Sequence, residues 1–312
     1  MDVTVDPGVL LQALVGGLAT GAVLGLVGLG FTLVAGTVRV LNLAHGDVVL
    51  AAVFTGVLVV LGRTPVATTL GPGPAIGFAL LVLAAGAVLS GAVGWLAVRP
   101  HLPDVAAGRP ADVLGWVAGL VAAGLLLREL LGLLLPEEAY AVPDPLRLDA
   151  LTSTGVFSLP GGGSLPARVP AVLVLGLAVG LAAERALVRS RFGKALRAVA
   201  DDSDAAALCG IPAQRVVLLA FVAAGLLAGV AGLLDAPGRA IGVDDGVVLG
   251  LAGITAALLG GLGSARGALV GGLVVGVVQS LAVTQFGAEY SEVVPLGMLV
   301  VLLCLRPEGL RR

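Results

Sequence analysis

Asn42, His45, Gly46 and Asp47 fall within one short run, Arg39-Val40-Leu41-Asn42-Leu43-Ala44-His45-Gly46-Asp47, between two apolar stretches. These residue types offer hydrogen-bond donors and acceptors, a titratable ring and a carboxylate. A catalytic or metal-binding use is disfavoured, because the only other histidine is His101 and no ligand cluster forms around either. Two readings fit the run. It is a polar loop at the inner surface, or it is a broken helix lining a path, with Asn42 and His45 offering hydrogen bonds. Irregular backbone at membrane depth is tolerated only where it is buried or faces a water-filled cavity. Asp47 or Asn42 is expected to cap the helix starting near Val48.

A second interruption is Leu258-Leu259-Gly260-Gly261-Leu262-Gly263-Ser264-Ala265-Arg266-Gly267. It reads either as a tight turn or, with the first, as one of two breaks along a transport path formed by Gly260, Gly261 and Gly263. The third polar segment is residues 189–215, RSRFGKALRAVADDSDAAALCGIPAQR, which carries eight charges. Ala195 to Ala200 and Ala205 to Leu208 favour helix. Asp201, Asp202 and Ser203 are capping types between them. Gly210 stops the second piece, and Pro212 opens the next helix in its first turn.

No catalytic motif is present. Lys194 is the single lysine, and its context RFGKAL is not a phosphate-binding loop. The sequence has no C-x-x-C, H-E-x-x-H or G-x-S-x-G. Cys209 and Cys304 do not make a disulfide framework. No enzyme activity, cofactor or metal is expected. The aspartate pair 244–245 is expected at the outer surface, capping the helix that follows.

The elements that must hold these segments are membrane helices. Hydrophobic residues make up 58% of the 312 and charged ones 12%, and the mean hydropathy is +1.09. Such a composition excludes an ordinary soluble domain. The expected fold is all-α, a polytopic helical membrane protein with about eight or nine crossings and broken helices, in a single domain over 1–312. Apolar spans lie near 9–37 (too long for one simple crossing), 44–61, 76–98, 112–135, 169–188, 216–234, 248–262, 267–285 and 292–305. Small residues recur every four positions at Gly17, Gly21 and Gly25, at Gly86, Ser90 and Gly94, and at Gly225 and Gly229. That spacing suits close helix packing.

Placing 189–215 in the cytoplasm puts thirteen of the eighteen Lys and Arg residues on the inner side. The N-terminal tail, with Asp2 and Asp6, is then outside. It lacks a basic signal-peptide start, so insertion falls to the first membrane helix. Residues 136–168, with Glu137, Glu138, Asp144 and Asp149, form the outer segment, including a hairpin around Gly161–Gly163. Arg128 is expected to snorkel outward beside Glu129. A formal net charge of −2 gives no ground for a nucleic-acid partner.

The order of these pieces resembles the permease subunits of branched-chain amino acid ABC importers. Residues 28–52, GLGFTLVAGTVRVLNLAHGDVVLAA, resemble that family's first broken helix, most clearly at Asn42-Leu43-Ala44-His45-Gly46. Residues 191–211 resemble its cytoplasmic coupling segment, 258–276 its second break and 289–310 its ending. The resemblance implies a multi-pass protein of the plasma (inner) membrane that carries branched-chain or other hydrophobic amino acids. It implies ATP-binding subunits in the cytoplasm, a second homologous permease and an extracytoplasmic solute-binding protein as partners. Carried over by position, Gly193, Arg197, Ala200, Asp201, Asp202, Ala206, Gly210 and Ile211 match the coupling segment. Asn42, His45, Gly46, Gly260, Gly261 and Gly263 match the two breaks. The stretch 99–168 fits less well, since Arg128-Glu129 stands where the family more often has uncharged polar residues. Related permeases for urea, amides or sugars therefore stay open. An ion-coupled secondary transporter would want carboxylates in mid-membrane, and the apolar spans offer almost none.

Overall fold

The computed structural model describes residues 7–38, 40–62, 70–98, 113–135, 139–148, 155–158 and 163–305. Asp2, Asp6, Arg39, Arg63, Arg99, His101, Arg109, Glu137, Glu138, Asp149, Gly161, Gly162, Arg306, Arg311 and Arg312 lie outside these residues.

Helices α1 (Pro7–Val38), α2 (His45–Leu61), α3 (Pro72–Val93) and α4 (Val113–Leu134) form the first half of the bundle. Helices α8 (Ala213–Asp235), α9 (Asp245–Gly260), α10 (Ala265–Phe286) and α11 (Tyr290–Leu305) form the second. Between the halves come α5 (Arg168–Arg189) and two short helices, α6 (Arg191–Asp201) and α7 (Ser203–Leu208). Six helices, α1, α3, α4, α5, α8 and α10, are long and apolar enough to cross a membrane, while α2, α9 and α11 are shorter. The expected all-helical membrane bundle is therefore present.

The stretch 9–37, expected to be too long for one crossing, is a single 32-residue helix. It is apolar all round, and 89% of its most hydrophobic window is buried, so it is the central helix of the bundle. Its glycines explain how. Gly17 and Gly21 face the backbone of α10 at Gly276, Val277 and Leu273, and Gly25 meets Leu269, so α1 and α10 run antiparallel in close contact. The same device joins α3 to α8, where Gly86 faces Gly225 and Gly229 meets Leu83. Ser90 donates its hydroxyl to the Phe221 carbonyl at 2.7 Å, which ties the second seam with a polar bond. The small-residue stripes thus act in packing.

These two seams are equivalent. Matching α1–α4 to α8–α11 maps the α1–α10 contact onto α8–α3, α2–α3 onto α9–α10, α1–α9 onto α8–α2, and α2–α4 onto α9–α11; every one of these pairs packs together. Since α10 runs antiparallel to α1, and α8 runs parallel to α10, the halves have opposite directions. The chain is an inverted repeat.

At the end opposite the coupling helices, strands at Tyr140–Ala141 and Ala240–Ile241 pair antiparallel. The expected hairpin is present, with Val156–Ser158 paired to Ser164–Pro166. Arg168 fixes this outer segment. Its guanidinium is buried, pairs with Asp144 at 3.4 Å and donates to the Leu234 carbonyl at 2.5 Å. Asp144 in turn accepts from the Leu146 and Leu148 amides. Arg168→Ala leaves a largely buried carboxylate without its cation. It should cost about 3 kcal/mol or more, read as a lower melting temperature in detergent, with Arg168→Lys intermediate. Equal melting of wild type and Arg168→Ala would contradict this anchoring.

Candidate functional site

The first break is where the sequence puts it. Helix α1 ends at Val38, and α2 starts at His45. The chain between them turns through backbone bonds, Leu43 N–H to Leu41 and His45 N–H to the Asn42 carbonyl at 2.9 Å. The expected side-chain cap is absent. Ala44 occupies the N-cap position of α2, and no side chain accepts there. Asn42 and His45 are fully buried instead. The His45 ring lies edge-on to Phe31, with centroids 4.9 Å apart. It is pressed against Gly30, where a Cβ would overlap its Nε2. Both His45 nitrogens and both Asn42 amide atoms have no hydrogen-bond partner among the described residues.

The depth of this break follows from its neighbours. Ala44 and Asp47 abut Gly124, the middle of the crossing helix α4. The start of α2 therefore sits at the centre of the bundle. There it meets the start of α9, with Gly46 packed against Gly246 and Gly250. Helix α9 is the second broken element. The chain after α8 passes through Ala236–Gly238 and Ala240–Ile241 and begins a helix only at Asp245. The aspartate pair 244–245 thus heads α9 next to the start of α2, with Asp244 exposed and Asp245 partly buried. Neither residue caps α9 with its side chain. They diverge: Asp244 pairs with Arg128 of α4 at 3.2 Å. Asp245 accepts from Arg239 at 2.6 Å and from the Gly242 amide at 3.1 Å. Arg239 also holds Asp235 at 3.0 Å. Arg128 does not simply snorkel beside Glu129; it turns to Asp244.

The second break was legible in the sequence and was missed. Arg39-Val40-Leu41-Asn42-Leu43-Ala44-His45-Gly46 and Arg239-Ala240-Ile241-Gly242-Val243-Asp244-Asp245-Gly246 share Arg, an aliphatic third residue and Gly at the same spacing (46 against 246). The expected second break at Gly260, Gly261 and Gly263 is the far end of α9, about 20 Å away at 1.5 Å per residue. It is a tight turn into α10 with left-handed Gly261 and Gly263. The Ser264 hydroxyl accepts from the Gly267 amide at 3.1 Å to start α10.

That turn sits instead beside the charged segment. Gly263 and Arg266 share a cleft of about 470 Å³ with Gly193, Arg197 and Ala200. Arg266 also bonds the buried Glu184 of α5 at 2.7 Å. The segment is the expected helix, turn, helix. Ser190 caps α6 by accepting from the Gly193 amide. Asp202 caps α7 by accepting from the Asp204 and Ala205 amides, each at 2.9 Å. Gly210 takes a φ of 80°. The Gly210 amide then reaches Ala207 and the Ile211 amide reaches Ala206, both at 2.9 Å, closing the helix as expected. Pro212 stands at the N-cap of α8, one residue before the expected position.

The structure divides the eight coupling residues. Gly193 is wedged under the Leu187 carbonyl, and Ala206 joins Val199 and Val216 in a small core against which Ile211 packs. Arg197 donates to the carbonyls of Leu187 and Val188, so it closes the end of α5. Ala200 is partly buried, while Asp201, Asp202 and Gly210 are exposed, as is Leu208 beside them.

Residues 13–303 match the family model described as branched-chain amino acid transport system / permease component. The chain belongs to this family. Over 308 residues it is 29% identical to the high-affinity branched-chain amino acid transport system permease protein LivH of Salmonella typhimurium, covering 96% of this chain and 94% of that one. It is 30% identical over 310 residues to the corresponding protein BraD of Pseudomonas aeruginosa, covering 96% and 95%. A shorter match, 31% over 156 residues, is to the L-arabinose ABC transporter permease protein AraH of Azospirillum brasilense, covering 46% and 44%. This permease is thus the membrane subunit of an ATP-binding cassette importer, a multi-pass protein of the inner membrane. A permease of this family works with ATPase and binding-protein subunits. An ion-coupled transporter, the less favoured alternative, would want carboxylates in mid-membrane. Asp47, Asp244 and Asp245 stand at the two helix starts, so it is the family match that removes that reading.

Proposed function

We propose that this permease carries branched-chain or similar aliphatic amino acids inward, in complex with a second homologous permease, cytoplasmic ATPase subunits and an external binding protein. It makes and breaks no covalent bond itself. The carrying observation is the meeting of two helix starts, α2 and α9, at the centre of the bundle. The positive ends of half-helices favour an anionic group such as a carboxylate. Unpaired Asn42 and His45 beside them fit a path that is dry in this conformation and polar when open. In this reading Gly46 is the close contact on the path, and the turn at Gly260, Gly261 and Gly263 belongs with the coupling machinery.

The ATPase contact falls to the segment 189–215, on the cytoplasmic side. Nucleotide binding can drive the bundle only by favouring one of its two states, so the exposed side chains Asp201, Asp202 and Leu208 must bond differently in each. The deciding experiment is co-purification from native membranes followed by reconstitution. ATPase subunits and a second permease should accompany the chain, and labelled leucine should enter in an ATP-dependent way. Uptake of arabinose or urea with no uptake of leucine would replace the solute reading.

His45→Phe keeps a ring under Gly30 and removes both nitrogens. It should reduce leucine uptake about tenfold at equal expression, the value of roughly one hydrogen bond. Wild-type uptake by this variant would take His45 off the path.

A further inference from the structure

The second break holds a cavity. A pocket of about 230 Å³ lies between α1, α9, α10 and α11, bounded on one side by Asp235 and Arg239 at the end of α8.

The pocket combines two kinds of chemistry. Its lining includes the aliphatic side chains Leu24 of α1 and Val248 and Leu249 of α9. It also includes Asp235, Arg239, Asp245, Gln279 and Glu292. Ionisable groups at this depth in a membrane protein are costly and mark function by default. The Arg239 guanidinium uses its Nε, Nη1 and Nη2 atoms on Asp235 and Asp245. Three of its five N–H groups are thereby occupied, which leaves two donors. The first amides of α9 are already used, Asp245 N–H on the Gly242 carbonyl and Val247 N–H on the Asp244 carbonyl, so the two spare Arg239 donors are the anion-binding groups. Gln279 donates its amide to the Ser291 carbonyl at 2.5 Å, while its Oε1 is buried without a hydrogen-bond partner among the described residues. Glu292 is exposed at the rim and lies in the first turn of α11.

We propose that this pocket is a holding site for a small zwitterion with an aliphatic side chain. The proposal rests on the solute class put forward above and assigns it a place. The ligand's carboxylate takes the free Arg239 donors. Its ammonium takes Gln279 Oε1 and Glu292. Its hydrocarbon lies on Leu24, Val248 and Leu249. At about 30 Å³ per water, the volume equals roughly eight waters, which suits a solute of about that many non-hydrogen atoms. A cation alone would leave the Arg239 donors unmet, and an anion alone would face three carboxylates.

The test is cysteine protection in the assembled transporter without its external binding protein. Cys209 and Cys304, both exposed, are first changed to serine, and Val248→Cys is introduced. L-leucine at ten times its Kd should slow thiol modification about tenfold, following 1 + [L]/Kd. 3-Methylbutylamine and 4-methylpentanoate, which lack one charged group each, should slow it little. Adding Glu292→Gln, at an exposed position that folding does not need, should weaken protection, and Arg239→Lys should weaken it less than Arg239→Gln. Absence of protection by leucine, or equal protection by the amine or the acid, overturns the site. Leucine uptake by the wild-type complex, measured alongside, tests the solute reading separately: uptake without protection removes the pocket and leaves that reading standing.

Discussion

Gly46→Val should abolish uptake and lower the melting temperature of the permease in detergent. A Cβ at residue 46 would overlap the Gly246 carbonyl and lie 2.7 Å from the Gly250 Cα and 2.8 Å from its nitrogen. All three obstacles are backbone atoms of one helix, so no rotamer change relieves them. The other side of the contact is equally bare, since a Cβ on Gly250 would lie 3.2 Å from the Gly46 Cα. Valine therefore separates the starts of α2 and α9 or does not fit. Overpacking of a close-packed interior typically costs about 1–3 kcal/mol, and rigid backbone on the opposing face puts this site at the upper end. The control is Gly77→Val on α3, where an added Cβ meets nothing within 4 Å. It should melt and transport like wild type. Should Gly46→Val do the same, the helix starts do not meet as described.

How much of this was readable in advance depended on the kind of signal. Helix existence was carried by hydropathy, and the spans fall within a few residues of the observed ends. The helix, turn, helix of 189–215 was carried by local chemistry: Asp202 caps, and Gly210 adopts the left-handed backbone that ends α7. Depth was not readable in this way. Gly260–Gly263 and Asp244–Asp245 are equally polar interruptions. What separates them is where their neighbours sit, with Gly46 and Arg128 beside one and Gly193 beside the other. The error over Asp47 as a cap has the same origin. Its Oδ2 faces Gly124 of α4, a tertiary neighbour that no local rule supplies. Only the matched Arg-to-Gly spacing in the two halves carried depth in the sequence itself.

Leu208→Asp should uncouple the transporter while leaving it folded and inserted. Leu208 is the last residue of α7 and is 91% exposed. A helix of six residues does not persist alone. This one is held at three points, by the Asp202 cap, by the Gly210 closure and by Ala206 in its small core. None of these involves Leu208, which stands clear of the core they build. An apolar side chain held rigidly beside exposed Asp201, Asp202 and Asp204 has the form of an interface anchor with a polar rim. If it fills a groove on the ATPase, its loss should remove about 2 kcal/mol or more of docking energy, roughly a thirtyfold weakening. ATPase activity stimulated by loaded binding protein should fall accordingly, with the melting temperature of the permease unchanged. Ala206→Asp makes the opposite comparison, because it breaks the small core and should lower both. Gly210→Pro should resemble Ala206→Asp, since proline cannot adopt a φ of 80° or donate the bond to Ala207. Full stimulation of the ATPase by Leu208→Asp would mean that the motor grips the permease somewhere else.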